Sequence, residues 1–407
     1  MKKKIIGDMI LNIVASAIPI FVLQLIVLPS LSRHMPSDDY GLLVTILAFL
    51  NVVPATLGNV LNNIRILHEG EYTKKKLQGD YNILVFCAEA GNVISLLLFA
   101  ILYCGDTSVL NIALTTLVAI AWMLREYYIV AFRLIINYKA ILINNLIMVG
   151  GYVLGYFIFL LIPYWQVIYL CGLASSLVYI FLNCTLWKEP LKRTELFEKI
   201  TKDSCMLLIA GVLLRVIIYA DKILIYPLLG GTMVSIYYAS TIFGKVVSLV
   251  VTPISSVVLT YLSKRKTKDD KMFIYSLGIG GVVCVVGYVV CILISKPILK
   301  IIYPDFAEPA MEYIIYTTGV AVLTALISLL NPFIMKFFDM KWQIRINGIT
   351  ALVYITLSLE FLFAFGLLGF CIGALITYIL KVTFMIFIYF KCCSASEEKG
   401  KNKIGGA

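Results

Sequence analysis

Charge is scarce in this chain. Asp, Glu, Lys and Arg make up 14% of its 407 residues, where soluble domains carry about 25%. Histidine occurs only at positions 34 and 68, each near a loop and without a neighbour that would make it a ligand or a catalytic base. The ten cysteines form no CxxC pair and no His/Cys cluster with metal spacing. Most lie in apolar stretches, where a thiol behaves as a small buried hydrophobe. Cys392–Cys393 follow the last apolar stretch and read as a neutral juxtamembrane pair in preference to a site for lipidation. No phosphate-cradling Gly-rich loop and no nucleophile–base arrangement is present. These absences argue against a soluble domain, a metalloprotein and an enzyme, and no cofactor is expected. A net charge of +11 would point to nucleic acid in a soluble chain. Here the basic runs are short and lack a folded scaffold for such a partner.

What the chain does have is apolar length: 61% of its residues are hydrophobic. About twenty apolar residues cross a bilayer as a helix. Runs of that kind are predicted near 10–31, 40–61, 81–103, 109–131, 142–162, 166–187, 205–229, 234–262, 272–294, 310–332, 344–366 and 368–390. The first begins behind Lys2–Lys4 like a signal peptide, but it is too long and has no small-residue cleavage site, so it reads as a retained helix.

Loop charge then sets orientation. With the N-terminus inside, the inside segments carry Arg65, Lys74–Lys76, Arg133, Lys139, Lys188, Lys192, Arg193, Lys199, Lys202, Lys264–Lys266 and the tail lysines. The outside loops carry only Arg33, Lys296 and Lys300. Cytoplasmic loops are enriched in Lys and Arg. The expectation is an all-α integral membrane protein of twelve spans, with both termini cytoplasmic. Residues 1–187 form a six-helix lobe, 188–204 a linker, 205–390 a second six-helix lobe, and 391–407 a cytoplasmic tail. In the linker, Leu196, Phe197 and Ile200 share one helical face while Lys192, Arg193, Lys199 and Lys202 supply charge, a pattern suited to a helix in the membrane interface. The longest outside loop, Ser295–Pro309, is too short to fold as a domain.

The seventh run, Cys205–Leu229, carries Arg215, Asp221 and Lys222. Each charge at bilayer depth costs roughly 2.5–3.5 kcal/mol on the insertion scale. The face that holds them should therefore meet protein or a watery cavity. Arg215, Tyr219 and Lys222 share that face. Further cations within spans are Arg125, Lys245 and Lys381; carboxylates are Glu89, Glu126, Asp221 and Glu360. Asp221 either pairs with a cation on another helix or titrates; Glu89 either serves ion coupling or joins an Asn network. Arg125–Glu126 reads as a structural pair or as snorkelling at a helix end. Asn51, Asn59, Asn144 and Asn145 suit helix–helix hydrogen bonds. Pro54 and Pro253 are kinks, static or bending.

Both halves begin with a helix, a tight Pro/Gly/Ser/Asp turn and a Tyr-containing next helix, a weak parallel repeat. The block Pro29, Arg33, Pro36, Tyr40, Gly41, and the later block Ala220-Asp221-Lys222, Gly230-Gly231, Tyr237-Tyr238-Ala239 and Pro253, resemble polysaccharide (O-antigen or capsule) flippases of the multidrug/oligosaccharidyl-lipid/polysaccharide exporter superfamily. Ser235 and Ile236 depart from a position where Gly is common there. The resemblance implies two six-helix lobes around a central cavity in the bacterial cytoplasmic membrane. It also implies alternating access that moves undecaprenyl-diphosphate-linked oligosaccharide to the outer leaflet, with lipids, a polysaccharide polymerase and glycosyltransferases as partners. A diphosphate head group needs cations, so Arg215, Lys222, Lys245, Lys381 and Arg125 are expected to line the cavity with Tyr219. Asp221 and Glu89 are expected at proton or sodium coupling. The alternatives are a drug antiporter of the same superfamily, for which a cation-lined cavity is unsuited, and a membrane polymerase, for which the outside loops are too small.

Overall fold

The computed structural model describes residues 15, 17–103, 108–247, 270–338 and 340–391, together with 251, 255, 258, 262 and 268. The expectations for Lys2–Lys4, Pro253, Lys264–Lys266, Cys392–Cys393 and the rest of the tail lie outside them. Every regular element among the described residues is helical. The chain divides into two compact units, Met1–Gly230 and Gly231–Ala407. The seventh run thus falls within the first unit.

The first unit contains α1 (Ala17–Ser32), α2 (Ser37–Val52), α3 (Pro54–Lys75), α4 (Tyr81–Leu98), α5 (Val109–Tyr128), α6 (Val130–Leu134), α7 (Tyr138–Phe159), α8 (Gln166–Asn183) and α9 (Phe197–Leu229). The second contains α10 (Gly231–Ser240), α11 (Asp270–Ile302), α12 (Ala307–Phe337) and α13 (Met340–Lys391). Non-helical dihedrals at Phe365 and Gly366 divide α13 into two helices. Gly366 has φ +61°, a conformation that a Cβ disfavours, which is why the chain can turn there. This is where the sequence separates its last two runs. Among the described residues, eight helices are long and apolar enough to cross a membrane. Only 6% of the most apolar window in Asp270–Ile302 is buried in protein. So large an apolar surface is intolerable in water and is natural against lipid. The protein is a multi-pass membrane protein.

Three local expectations change. Residues 62–80, expected as a loop, are helical as far as Lys75. Leu61, Ile64, Arg65, His68 and Tyr72 recur at helical spacing and are all buried, so the polar stretch continues the helix by burying one face. This places Pro54 near the middle of the combined α2–α3 span. The loop expected at Ser295–Pro309 is mostly helix as well: α11 runs to Ile302, and Pro304–Phe306 is a single 3-10 turn. Ser295 and Leu299 are buried one turn apart while Lys296 and Lys300 are exposed, which is helical patterning.

The third change concerns the linker. Residues 189–194 are not helical; Pro190 and the docking of the segment on α3 and α4 explain why. Leu196 and Ile200 are buried in the first unit's core beside Ile64, Tyr81 and Tyr127, so their apolar face meets protein rather than the membrane interface. The docking is polar and dense. Arg65, 4% exposed, donates to Tyr127 Oη at 3.0 Å and Glu189 Oε2 at 2.9 Å, and also reaches Glu189 Oε1. Its guanidinium lies 4.5 Å from the centroid of the Tyr81 ring. The Asp80 carboxylate accepts from Thr194 N at 2.7 Å, from the Thr194 hydroxyl and from Tyr72 Oη. Asn82 donates to the Glu189 carbonyl at 2.9 Å. His68, alone in the sequence, has Asp203 Oδ2 at 3.1 Å from its Nε2.

Candidate polar cavity of the first unit

The sequence of α2–α3 carries a polar stripe. Asn51, Ala55, Asn59 and Asn62 follow at spacings of 4, 4 and 3, which is one helical face. In α5 and α6, Arg125, Ile129 and Arg133 repeat at spacing 4, with Glu126 beside them. These faces, with Asn145 of α7 and Arg215 of α9, line a cavity of about 390 Å³. Trp122, Met148 and Tyr152 supply apolar wall. Its size lies within the usual range of small-molecule sites, about 300–1,000 Å³.

Arg125 and Glu126 form an ion pair at 2.6 Å. Arg125 also donates to Asn145 Oδ1 at 2.5 Å, and Asn59 donates to Glu126 Oε2 at 3.3 Å. Arg133 donates to Asn62 Oδ1 at 2.8 Å, and Asn62 donates to the Glu126 carbonyl at 2.9 Å. Arg215 donates to the Asn51 carbonyl at 3.1 Å. The chain breaks from helix at Val53 before Pro54, which has no N–H, so a nearby backbone acceptor is open to a side chain. Among the described residues neither Arg133 nor Arg215 has a carboxylate within ion-pair distance. Three guanidiniums therefore face the cavity against the single carboxylate of Glu126.

The residues proposed from sequence distribute as follows. Arg125 and Arg215 are brought together in this cavity. Tyr219 stands beside it and donates to Asn51 Oδ1 at 3.2 Å. Lys222 does not line it; its Nζ forms an ion pair with its neighbour Asp221, because the long side chain spans the 100° between adjacent helical positions. Lys245 and Lys381 belong to the second unit. The Lys245 Nζ lies 2.9 Å from the centroid of the Tyr238 ring, and Lys381 donates to Asn347 Oδ1 at 3.3 Å. Glu89, on α4, accepts from Asn92 at 3.0 Å, so the Asn network is real. Asn144 makes the helix–helix bond expected of it, to the Ser176 carbonyl at 3.0 Å. Asn51, Asn59 and Asn145 face the cavity as well.

Arg133 was missed as a cavity residue because the fourth run was expected to end at residue 131. The helix restarts at Val130, and Arg133, though exposed, lines the cavity. Among the described residues no three His, Cys, Asp or Glu side chains gather as a metal site.

Gly58 sets the approach of α3 to α5. A Cβ there would lie 2.6 Å from both the Glu126 Cβ and the Met123 carbonyl oxygen. Gly58→Ala is expected to destabilise by about 1–3 kcal/mol, the usual range for overpacking, and to disturb the Glu126 wall. Thermal unfolding in detergent measures this; an unchanged midpoint would show that the two helices part freely.

No protein-family model matches the chain, and no curated protein matches it in sequence. Its fold does match solved structures. The lipid II flippase MurJ in an inward closed conformation superposes with a TM-score of 0.70 at 15% identity, over 94% of this chain and 85% of that one. An inward-facing multidrug resistance MATE transporter of the MOP superfamily gives 0.61 at 14% identity, over 93% and 98%. The chain has the all-helical fold of the MATE and MurJ transporters of the MOP superfamily, over nearly its whole length.

Proposed function

We propose that this protein is a flippase for lipid-linked oligosaccharides, moving undecaprenyl-diphosphate-linked repeat units from the cytoplasmic to the outer leaflet by alternating access, for surface polysaccharide biosynthesis. The observation that carries this reading is the charge of the first unit's cavity: Arg125, Arg133 and Arg215 against Glu126. Guanidiniums present planar, paired donors that match phosphate oxygens. Two of the three have no carboxylate partner among the described residues, so an anionic cargo brings the charge they lack. Cationic drugs, by contrast, would be repelled from the same walls. The likeness to MurJ, a lipid II flippase by name, supports the same class of cargo.

On this reading the protein resides in the bacterial cytoplasmic membrane with both termini inside, and works beside a polymerase and glycosyltransferases. Lys222, Lys245 and Lys381 are held as further contacts for the anionic head group along its path, with Tyr219 against the sugar. Asp221 is held as a site of proton or sodium coupling. The test is genetic and biochemical. Deleting the gene should strand lipid-linked repeat units on the inner leaflet. Outward movement at the normal rate, with no redundant flippase present, would overturn the proposal.

A further inference from the structure

Glu89 poses a chemical problem that the cavity does not solve. It lies on α4, eight residues beyond Tyr81 and so about 12 Å along the helix at 1.5 Å per residue. Asn92, three residues on and fully buried, donates one amide hydrogen to Glu89 Oε2 at 3.0 Å and the other to the Ala119 carbonyl of α5 at 3.1 Å. Both hydrogens of the amide are then used. What remains is two buried acceptors without a partner: Glu89 Oε1 and Asn92 Oδ1. Buried acceptors in native proteins are almost always satisfied. No further side-chain donor of this pair exists, because an ionised carboxylate has none and the amide has spent both of its own.

One proton resolves both. We propose that Glu89 is a proton-binding site: the side chain is a neutral acid whose Oε1–H donates to Asn92 Oδ1, closing a cyclic acid–amide pair with the Asn92 N–H to Glu89 Oε2 bond. The proton comes from water and adds to the carboxylate oxygen; no other bond is made or broken. The surroundings agree. α4 packs against α3 and α5, and among the described residues no cation lies within ion-pair distance of Glu89. On α5, Arg125 and Glu126 are paired with one another, and Tyr128 donates to Asn82 Oδ1 at 3.4 Å. On α3, Arg65, His68, Glu71 and Lys75 are committed to partners around Glu189 and α9. The inference concerns a proton and stands apart from the identity of the cargo.

Infrared difference spectroscopy of the purified protein in lipid at neutral pH tests it. The C=O stretch of a protonated carboxylic acid is resolved from the carboxylate stretches. Glu89→Gln, which keeps the shape and supplies an N–H to Asn92, should remove one acid band and leave the carboxylate bands unchanged. Should that variant not fold, Asn92→Val keeps the acid and removes its acceptor, and an acid band should shift in frequency. An ionised Glu89, solvated by water or bound to sodium, gives the opposite result: Glu89→Gln removes a carboxylate band, Asn92→Val shifts no acid band, and the proposal fails.

Discussion

On the proposed flippase reading, Arg215→Ala should sharply reduce outward movement of the lipid-linked oligosaccharide while leaving the protein inserted and folded. The separation of the two effects follows from its partners. Arg215 donates to a backbone carbonyl, that of Asn51, and among the described residues no carboxylate pairs with it. Its removal leaves no buried counter-charge stranded, so folded yield should stay near that of the wild type. What is lost is a cation at the cavity wall. A hydrogen bond to a charged group contributes about 1.5–3 kcal/mol, which is roughly 10- to 100-fold in head-group affinity at 1.4 kcal/mol per decade. Arg215→Lys keeps the charge but not the planar fork, and should fall between the two. Accumulation of inner-leaflet substrate, measured beside membrane-fraction yield, separates the outcomes. Full transport in Arg215→Ala would remove this residue from the head-group path. Arg133→Ala is the parallel case, since its partner among the described residues is the neutral amide of Asn62.

Contrast explains what was legible in the sequence. Arg215 stood out because a charge inside an apolar run is costly, and the helix does place it on a cavity. Arg133 carries the same chemistry to the same cavity, yet it lies where apolarity fades, and there a charge looks like a loop residue. Asn51 and Asn59 were expected at helix–helix contacts, and composition alone does not say whether an amide faces a neighbouring helix or an opening; both line the cavity. The alternation of apolar runs gave the all-helical membrane fold directly. Local composition failed where tertiary burial overrode it: the polar stretch after Leu61 stays helical because Ile64, His68 and Tyr72 bury one face. The linker's apolar face was real, but it has two physical uses, protein core and membrane interface. Deciding between them required the position of Asp80 and Arg65, which a single sequence does not supply.

The largest loss of stability is expected at Arg65→Ala. Arg65 is 4% exposed and holds Glu189 through two hydrogen bonds while also donating to Tyr127. Truncating it strands the Glu189 carboxylate, whose side chain is only 17% exposed, and leaves the buried Tyr127 hydroxyl short of a donor. Breaking a buried pair from one side costs about 3–5 kcal/mol. That is enough to reduce folded yield severely in a protein of ordinary marginal stability. Most of that cost belongs to the orphaned charge and not to the lost attraction. The double variant Arg65→Ala/Glu189→Gln should therefore recover a large part of the midpoint, even though it restores no ion pair. Arg65→Ala alone should also loosen the linker, because Glu189 is the residue through which α3 grips residues 186–194, and hydrogen exchange at Lys192 and Thr194 should rise. Asp80→Asn tests the neighbouring grip independently. It keeps one acceptor for Thr194 N but weakens three bonds that now end on a carboxylate, so its effect should be smaller than that of Arg65→Ala. Equal midpoints for Arg65→Ala and the double variant would show that Glu189 finds water once released. The docking would then rest on the buried Leu196 and Ile200 and not on charge.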